Sequence, residues 1–563
     1  MYTCLRLCLL LLGLHTLPVV ARRRHHKVKR NVLFIMADDL RTSLGCYGDS
    51  VAKSPNIDQL ASRSQVFLNA FAQQAVCAPS RTSMLTSRRP DTTRLYDFNS
   101  YWRTHAGNYS TLPQHFKSKG YITTSVGKIF HPGIPSNHSD DYPYSWSSPV
   151  YHPPSFRYEK EKVCKGEDGN LHANLLCAVD VAEQPGRTLP DLESSEEAVR
   201  VLKSRAHDGA PFFLAVGFHK PHIPFRIPQE YLSLYPVEQM ALAPDPDVPP
   251  LLPPVAYNPW TDVRSRDDVQ KLNISFPYGP IPKDFQRRIR QHYYAAVSYL
   301  DAQVGRLLAA LDALRLTSST LVVFASDHGW SLGEHGEWAK YSNFDVATRV
   351  PLIFYVPGVT AARRESSFPF IDVLRQPGLV FKSRRVVRNV VELLDVFPTV
   401  SYLAGLKKPK ACPDHSFQVE LCTEGNSLAA AFLHRGKERR SAEALSFSQY
   451  PRPADTPQEN SDLPDLKDIT VMGYSLRCWD YRYTLWLGFN PKSFQVNVSD
   501  VHGGELYMLA DDPGEDRNVY HDFGIDAMTG KMASLPRTES VQMRMRQQLF
   551  YLSAGRKRSR VQA

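Results

Sequence analysis

The segment Cys77–Arg81 (CAPSR) is the most informative candidate for chemistry in this chain. A cysteine followed by proline and arginine arises easily by chance, and a lone cysteine is most often a buried thiol. Acidic residues elsewhere change its meaning, since Asp38 and Asp39 precede it and Asp327 with His328 follows far downstream. Carboxylates of this kind can hold a hard divalent cation beside the cysteine. The combination indicates an enzyme that acts on a multiply charged oxyanion.

A sulfate or phosphate ester fits these residues, because attack on its central atom requires charge on several oxygens to be stabilised. A cation bound by Asp38, Asp39 and Asp327 would supply that stabilisation, with His328 completing the shell through nitrogen. The cationic side chains that can hold the remaining oxygens are Arg81, Lys128 and Lys340.

Taken singly, each candidate also has an ordinary structural explanation. The acidic pairs suit strand-end turns or helix caps. His131 and His222 each stand beside a proline and suit hydrogen-bonded loop positions. Lys340 and Glu337 have the spacing of an i,i+3 surface pair. The functional interpretation is therefore based on the joint pattern.

The elements that would position these residues alternate between apolar runs and helical patterns from residue 31 to about 405. Helices are predicted from Pro55 onward and over Phe285–Leu314. Strands are predicted at Asn31–Met36, Tyr121–Val126, Phe212–Phe218, Leu321–Ser326 and Leu352–Val356. This alternation predicts an α/β fold whose central sheet is mostly parallel and flanked by helices.

Four of the predicted strands end in polar residues. Ligands of such folds gather beyond the carboxyl ends of the strands. The residues that follow strand ends are Asp38, Asp39, Lys128, His131, His219, His222, Asp327 and His328. We therefore expect them to converge at one edge of the sheet.

A smaller C-terminal subdomain with an antiparallel sheet is predicted from short strands at Ile469–Arg477, Tyr481–Leu487 and Glu505–Leu509. The charged stretch Arg435–Arg440 (RGKERR) marks the predicted boundary. We therefore divide the chain into a catalytic domain at residues 31–435, a subdomain at 436–555 and a basic tail at 556–563.

The beginning of the chain has the features of a secretory leader. Residues 1–21 are predicted to be a signal peptide, with Arg6 before the apolar run Leu7–Leu14 and a small residue, Ala21, at the cut. Residues 22–30 form a basic segment that is either a processing site or a solvated linker. No later stretch is long and apolar enough to span a bilayer, so no membrane insertion is expected.

The cysteines and glycosylation sequons agree with passage through an oxidising compartment. Cys164 with Cys177, and Cys412 with Cys422, are close enough in sequence for local disulfides. Cys46 and Cys478 are expected to be buried thiols. Sequons of the Asn-X-Ser type begin at Asn108, Asn137, Asn273 and Asn497.

The net charge of +10 belongs to the ends of the chain. Residues 1–30 carry seven basic side chains and no acidic ones, and the basic tail carries four. Removing these eleven charges leaves −1 for residues 31–555, so the folded body is nearly neutral. No nucleic-acid partner is expected on this charge distribution.

The segment Cys77–Arg81, followed by Leu85–Arg88 (LTSR), resembles the signature of the sulfatase family. The resemblance continues, in the same order along the chain, at Val32–Asp39, Asp327–Gly329 and Glu505–Asn518. It implies the alkaline phosphatase-like α/β fold of that family. It also implies that Cys77 is oxidised to formylglycine in the endoplasmic reticulum by the formylglycine-generating enzyme.

The resemblance also assigns roles to residues of this chain. One calcium ion per chain would be held by Asp38, Asp39, Cys77, Asp327 and His328. Arg81 would orient the formylglycine. The sulfate would be surrounded by Lys128, His131, His222 and Lys340, and either His222 or Lys340 would protonate the leaving oxygen.

Longer stretches resemble family members that act on glycosaminoglycans, notably 71–79, 89–102, 217–225 and 333–346. The implied reaction is removal of the 2-O-sulfate from terminal iduronate in heparan and dermatan sulfate, in the lysosome. Two positions depart from the common pattern: Ser87 stands where the family usually has glycine, and His328 where many members have asparagine.

Two other functions are compatible with parts of the pattern. A phosphate or phosphonate ester hydrolase of the same superfamily would share the strand-end acids but usually uses Thr or Ser as its nucleophile. A non-catalytic secreted protein could bind glycosaminoglycans through its basic ends. Cys77 with Pro79 and Arg81 argues against the former, and the neutral body argues against the latter.

Overall fold

The computed structural model describes residues 29–521 apart from 167, 363–366 and 434–443, together with a few short pieces after residue 521. The predicted signal peptide, the charged stretch Arg435–Arg440 and the basic tail lie outside the described residues. The basic segment 22–30 is described only at its last two residues.

A seven-stranded mixed sheet forms the centre of the larger part of the molecule. Its strands are β1 Asn31–Asp38, β2 Gln65–Phe71, β3 Ile122–Gly127, β4 Phe212–Pro221, β5 Thr320–Ser326, β6 Arg349–Tyr355 and β7 Arg385–Glu392. Across the sheet they lie in the order β7-β2-β6-β5-β1-β4-β3. Only β6 is antiparallel to its neighbours, so the prediction of a mostly parallel sheet is confirmed.

Helices cover the sheet. The longer ones are α1 Pro55–Ser62, α2 Cys77–Thr86, α3 Leu112–Ser118, α4 Pro190–Asp208, α5 Lys283–Ala313 and α6 Val396–Leu403. Four-residue helices lie at Pro90–Thr93, Trp102–His105, Thr261–Arg264, Asp267–Gln270, Asp345–Thr348 and Ala430–Leu433. The predicted α/β architecture is thereby confirmed.

Burial explains why the apolar runs form the inner strands. Every residue of β4 and β5 is buried, as is all of β1 except Asn31. Two clusters of buried apolar side chains contain alternating residues of β1, such as Leu33 and Ile35 in one and Val32 and Phe34 in the other. Continuous apolar strands are needed because both faces of the sheet are covered.

A second sheet, of four antiparallel strands, lies toward the C-terminus. Its strands are β8 Ser446–Arg452, β9 Val471–Arg477, β10 Tyr481–Asn490 and β11 Gln495–Met508. It has its own apolar cluster, which includes Met472, Leu485 and Leu506. The predicted antiparallel sheet is confirmed, and β8 is a strand that the sequence pattern did not reveal.

Two-residue strand pairs complete the fold. They join Cys164–Lys165 to Leu171–His172, Ser331–Leu332 to Trp338–Ala339, and Gly524–Ile525 to Met532–Ala533, while Leu176–Val179 pairs with Phe225–Pro228. Disulfides link Cys164 to Cys177 and Cys412 to Cys422, as predicted. Among the residues described, no helix has the length and apolar character needed to cross a membrane.

Candidate active site

The carboxyl-end edge of the central sheet brings the candidate residues together. Asp38 is the last residue of β1, and Asp39 follows it. Lys128 follows β3, and Asp327 with His328 follows β5. Cys77 arrives differently, as the first residue of α2. The N-terminus of this ten-residue helix favours negative charge, which suits an oxyanion at this position.

Cys77 is buried at the centre of these residues. Its thiol donates to Asp38 Oδ1 at 3.3 Å, and His328 Nε2 lies 3.4 Å from Sγ. Two ammonium groups face the same sulfur, from Lys340 at 3.5 Å and from Lys128 at 3.7 Å. The position of Sγ is therefore surrounded by one carboxylate, one imidazole and two cations.

Arg81 lies one turn along α2 and binds the two carboxylates rather than the cysteine. Its Nη2 donates to Asp38 Oδ1 at 3.0 Å, and its Nε donates to Asp327 Oδ2 at 2.8 Å. Its Nη1 donates to the carbonyls of Lys128 and Ile129. The side chain is fully buried, so it joins β1, β3 and β5 at the centre of the site.

The two lysines neutralise the two adjacent aspartates. Lys128 Nζ lies 2.5 Å from Asp38 Oδ2, and Lys340 Nζ lies 2.8 Å from Asp39 Oδ1. Lys340 is buried and reaches into the site, so the alternative of an i,i+3 surface pair with Glu337 is wrong. Glu337 is itself buried and accepts a hydrogen bond from Asn258 N.

The local backbone is shaped to place both lysines. Lys340 is flanked by Ala339 and Tyr341, which have φ of 65° and 73°. Such left-handed conformations cost about 1 kcal/mol or more for non-glycine residues and concentrate at functional sites. Lys128 follows a close approach of strands, because a Cβ on Gly217 would overlap the Lys128 carbonyl.

The residues present fit a bound cation. Asp38, Asp39, Cys77 and His328 are all buried and offer ligand atoms within 4.8 Å of one another. Asp39 Oδ2 is buried and has no hydrogen-bond partner. Asp327 lies beside this group, with its Oδ2 3.5 Å from His328 Nε2. An orphaned carboxylate oxygen among oxygen-rich ligands is what a hard cation requires.

His222 lies at the margin of the site, with Nε2 3.9 Å from Asp39 Oδ2. Its Nδ1 faces the Ile223 carbonyl at 2.5 Å and Glu159 Oε1 at 3.5 Å. His131 stacks on Phe98 with ring centroids 4.1 Å apart. Burial, then Lys128, lowers the pKa of His131 well below its ordinary value. Burial, then Lys340, does the same to His222.

Burial and charge together set the protonation of the acidic residues. Burial acts to raise the pKa of Asp38, but the charges of Lys128 and Arg81 outweigh it and hold the pKa well below its usual value. Burial raises the pKa of Asp39 to about 7, although Lys340 acts against this rise. Burial, followed by the Asp38 charge, raises the pKa of the Cys77 thiol. The unmodified thiol is therefore protonated and a weak nucleophile.

Sequence reasoning missed several residues that shape this site. Tyr293 on α5 donates to the Asp39 carbonyl at 2.8 Å and accepts from Arg41 N at 3.1 Å. Lys220 donates to the carbonyls of His222 and Pro224, and so holds the loop that carries His222. Only the strand-end position of Lys220 was visible in the sequence. Tyr293 fell within the apolar face of a helix, and no pattern marked it or Glu159 as a neighbour of the site.

Comparisons with known proteins agree with this geometry. Residues 30–406 match the family model described as Sulfatase. Iduronate 2-sulfatase from Homo sapiens is 62% identical over 501 residues, covering 87% of this chain and 91% of that protein. The Mus musculus iduronate 2-sulfatase is 63% identical with the same coverage.

A solved structure is similar in fold at much lower identity. The phosphonate monoester hydrolase of Agrobacterium radiobacter superposes with a TM-score of 0.62 at 21% identity, covering 92% of this chain and 96% of that chain. At this identity the likeness establishes the fold alone. The family match over residues 30–406 and the 62% identity to an iduronate 2-sulfatase lead to one conclusion: this chain belongs to the sulfatase family and is a sulfuric ester hydrolase.

Proposed function

We propose that this protein removes the 2-O-sulfate from terminal iduronate residues of heparan sulfate and dermatan sulfate in the lysosome. The observation that carries the reaction class is the set of charged groups around Cys77 Sγ. Three groups lie within 3.5 Å of it: Asp38 Oδ1, His328 Nε2 and Lys340 Nζ. The substrate is proposed from the 62% identity to an iduronate 2-sulfatase.

Cys77 is proposed to be converted to formylglycine, so that its Sγ stands in for the oxygens of a hydrated aldehyde. Such a group supplies one hydroxyl to attack sulfur and a second whose proton loss releases the sulfate. The conversion would be performed by the formylglycine-generating enzyme during biosynthesis. The buried thiol itself offers neither oxygen.

Calcium is the proposed cation, one per chain, with Asp38, Asp39, Asp327, His328 and the converted residue 77 as ligands. A hard cation there would polarise sulfate oxygens and stabilise the negative charge that develops on them. It would also relieve the repulsion among three neighbouring carboxylates.

The cationic side chains have separate tasks in this proposal. Lys128 and Lys340 present ammonium groups toward the position of Sγ, where they can hold sulfate oxygens by charge-assisted hydrogen bonds. Arg81 holds Asp38 and Asp327 in place and so positions the nucleophile indirectly. His131 would line the sulfate pocket. Its ring is stacked on that of Phe98, with an angle of 13° between the ring planes.

The leaving sugar oxygen needs a proton, and His222 and Lys340 are the two proposed donors. Lys340 lies closer to the sulfur position, at 3.5 Å. His222 lies beyond Asp39, and its lowered pKa leaves less of the imidazolium form that can donate a proton. An aryl sulfate with a good leaving group distinguishes the two candidates. Loss of the true proton donor should slow hydrolysis of the sugar sulfate far more than hydrolysis of the aryl sulfate. We would compare His222→Gln and Lys340→Met on both substrates.

The test of the function is desulfation of a defined oligosaccharide. Secreted protein is incubated with a heparan or dermatan oligosaccharide that ends in 2-O-sulfated iduronate, and mass spectrometry follows the loss of one sulfate. We expect loss only from the terminal residue. An oligosaccharide with the same sulfate on an internal iduronate is the matched control.

Three results would overturn the proposal. Desulfation that persists in Cys77→Ala would remove the nucleophile from the mechanism. Faster hydrolysis of a phosphonate monoester than of the sulfate would favour the alternative ester hydrolase. Glycosaminoglycan binding without turnover, in protein whose Cys77 peptide has the mass of the aldehyde, would favour a binding protein.

A further inference from the structure

A second group of metal-ligating side chains lies outside the active site. Asp245, His335 and Asp516 offer ligand atoms within 4.8 Å of one another. They come from three separate parts of the chain: the proline-rich stretch at residues 244–259, the segment that leads to Lys340, and the turn after β11. The proposed sulfatase reaction uses none of the three.

A backbone hydrogen bond and a ring contact fix the positions of Asp245 and His335. His335 N donates to the Asp245 carbonyl at 2.7 Å. The His335 ring stacks on Phe344, with centroids 3.8 Å apart, and is fully buried. Its Nε2 consequently points at Asp245 Oδ2, 3.2 Å away, and at the Gly514 carbonyl, 2.8 Å away.

Asp516 approaches the same point. A Cβ built on Gly514 would lie 2.7 Å from Asp516 Oδ2 and 3.4 Å from Asp245 Oδ2. The two carboxylates therefore converge beside one glycine, whose lack of a side chain leaves room for both. The Gly514 carbonyl adds another oxygen on the His335 side.

The acceptors in this group outnumber the donors. His335 Nε2 can carry one hydrogen, and it faces two oxygens. Asp245 Oδ1 is buried and has no hydrogen-bond partner, in a side chain that is only 7% exposed. A buried carboxylate oxygen without a donor is costly unless a proton or a cation neutralises the group.

We propose that Asp245, His335, Asp516 and the Gly514 carbonyl bind a second divalent cation, of the zinc class, that fastens the turn after β11 to the segment that carries Lys340. One imidazole, two carboxylates and a carbonyl are donors that zinc accepts in a four-coordinate site. Tetrahedral zinc bonds of about 2.0–2.2 Å place the ligand atoms roughly 3.4 Å apart. His335 Nε2 lies 3.2 Å from Asp245 Oδ2 and 2.8 Å from the Gly514 carbonyl, so these atoms need to separate only slightly to admit the ion.

The site would have a structural role. Lys340 lies five residues beyond His335, after the Trp338–Ala339 strand. Asp516 neighbours Glu515, which accepts from Asp345 N at 2.8 Å and so already links the turn to the same part of the chain. A cation at Asp516 would add a second link there and stabilise the docked arrangement.

The experiment uses the full secreted chain with zinc as the probe. Zinc is titrated by calorimetry in excess calcium, which keeps the active site occupied. Asp516→Asn is compared with Asp247→Asn, an exposed acidic neighbour of Asp245 that lies outside the group. We expect one zinc equivalent whose affinity falls at least tenfold in Asp516→Asn and stays unchanged in Asp247→Asn.

Anomalous diffraction at the zinc edge and thermal unfolding complete the test. The expected peak lies between Asp245, His335 and Asp516, and zinc should raise the unfolding midpoint of the native chain but not of Asp516→Asn. Equal zinc affinity in the native chain and Asp516→Asn, a peak elsewhere, or no binding would each overturn the proposal. His335→Gln, with the metal-free midpoint measured as a check of folding, repeats the comparison independently.

Discussion

The active-site edge and the C-terminal sheet both bury ionic groups, but they use them differently. In the C-terminal sheet, Arg482 pairs with Glu505 and Glu515, and all four carboxylate oxygens of the two glutamates accept hydrogen bonds. At the active-site edge, Lys340 and Arg81 also pair with carboxylates, yet Asp39 Oδ2 has no partner. Carboxylates whose oxygens are all used build structure, whereas an oxygen left over among several metal-ligating side chains indicates a place for a ligand.

The largest expected effect is at the nucleophile. Cys77→Ala should lower kcat by about 10⁴-fold or more, because no other group at the site offers the attacking oxygen. Cys478→Ala, at another free cysteine, should leave turnover unchanged. Turnover is measured on the terminal 2-O-sulfated oligosaccharide. Comparable activity in the two variants would contradict the assignment of the nucleophile.

Changes to the ion pairs of Arg482 with Glu505 and Glu515 should alter stability and leave turnover unchanged. Arg482→Met leaves Glu505 and Glu515 buried without their cation, so we expect a loss of about 3–5 kcal/mol in the free energy of unfolding. Denaturant unfolding measures the loss, and Lys492→Met, at an exposed lysine in the turn between β10 and β11, is the control. Turnover per folded molecule should stay within about twofold of the native value if the two regions are independent. A large fall in turnover per folded molecule would show that they are coupled.

Removing the proposed calcium should lower both turnover and stability at the active-site edge. Chelation is expected to lower kcat by about 100-fold or more, since a hard cation supplies several kcal/mol of charge stabilisation. It should also lower the unfolding midpoint, because three carboxylates then lose a shared partner. Asp39→Asn should reproduce the loss of turnover and weaken calcium binding. Full activity of thoroughly chelated protein would exclude a catalytic cation.

The buried carboxyl of Asp462 predicts how the stability of the protein depends on pH. Asp462 accepts from Thr261 through Oδ2, while its Oδ1 is buried without a partner. Burial, then the neighbouring Asp262, raises the pKa of Asp462 to about 7. Because the pKa is raised in the folded state, protonated Asp462 contributes fully to stability below pH of about 4. That contribution is lost as the pH rises toward 7.

Asp462→Asn cannot ionise and preserves the acceptor for Thr261. We therefore expect it to reduce the fall in the free energy of unfolding between pH 5 and pH 7.5 by about 2 kcal/mol. Denaturant unfolding across that range tests the effect, with Asp465→Asn, at a half-exposed neighbour, as the control. An unchanged pH dependence would show that Asp462 is ionised in the folded state throughout.

The sequence predicted much of the active-site edge because a simple rule governs it. Asp38 ends a parallel strand, Lys128 and Asp327 each follow one, and the carboxyl ends of those strands meet. The strands β2 and β7 were missed, since polar residues interrupt their apolar runs. The antiparallel direction of β6 was also missed, because an apolar run does not encode the direction of its strand.

Lys340 shows where pattern reasoning ends. It follows a two-residue strand, and its neighbours Ala339 and Tyr341 adopt left-handed backbone that their residue types do not signal. Its charge made it a candidate, but its place in the site was indicated only by the resemblance to a family. Glu159 and Lys220 were missed altogether, because they meet His222 through tertiary packing with no fixed spacing in the sequence.

The smallest expected effect is at Ser87, the departure from the family signature. Ser87 ends α2 in a left-handed conformation with φ of 53°, which glycine would adopt without strain. Its hydroxyl compensates by donating to the Leu394 carbonyl at 2.6 Å and accepting from Gly425 N at 3.2 Å. Ser87→Gly gains about 1 kcal/mol from the backbone and loses about as much in hydrogen bonds.

The two contributions nearly cancel, so we expect the free energy of unfolding of Ser87→Gly to change by less than about 1 kcal/mol. Ser87 also lies at the opposite end of α2 from Cys77, about 15 Å along the helix axis. Turnover per formylglycine-containing molecule should therefore stay within about twofold, with the converted fraction measured by mass spectrometry of the Cys77 peptide. A larger change at equal conversion would mean that the end of α2 is coupled to its first residue. A structural residue and the reactive residue would then depend on each other within a single helix.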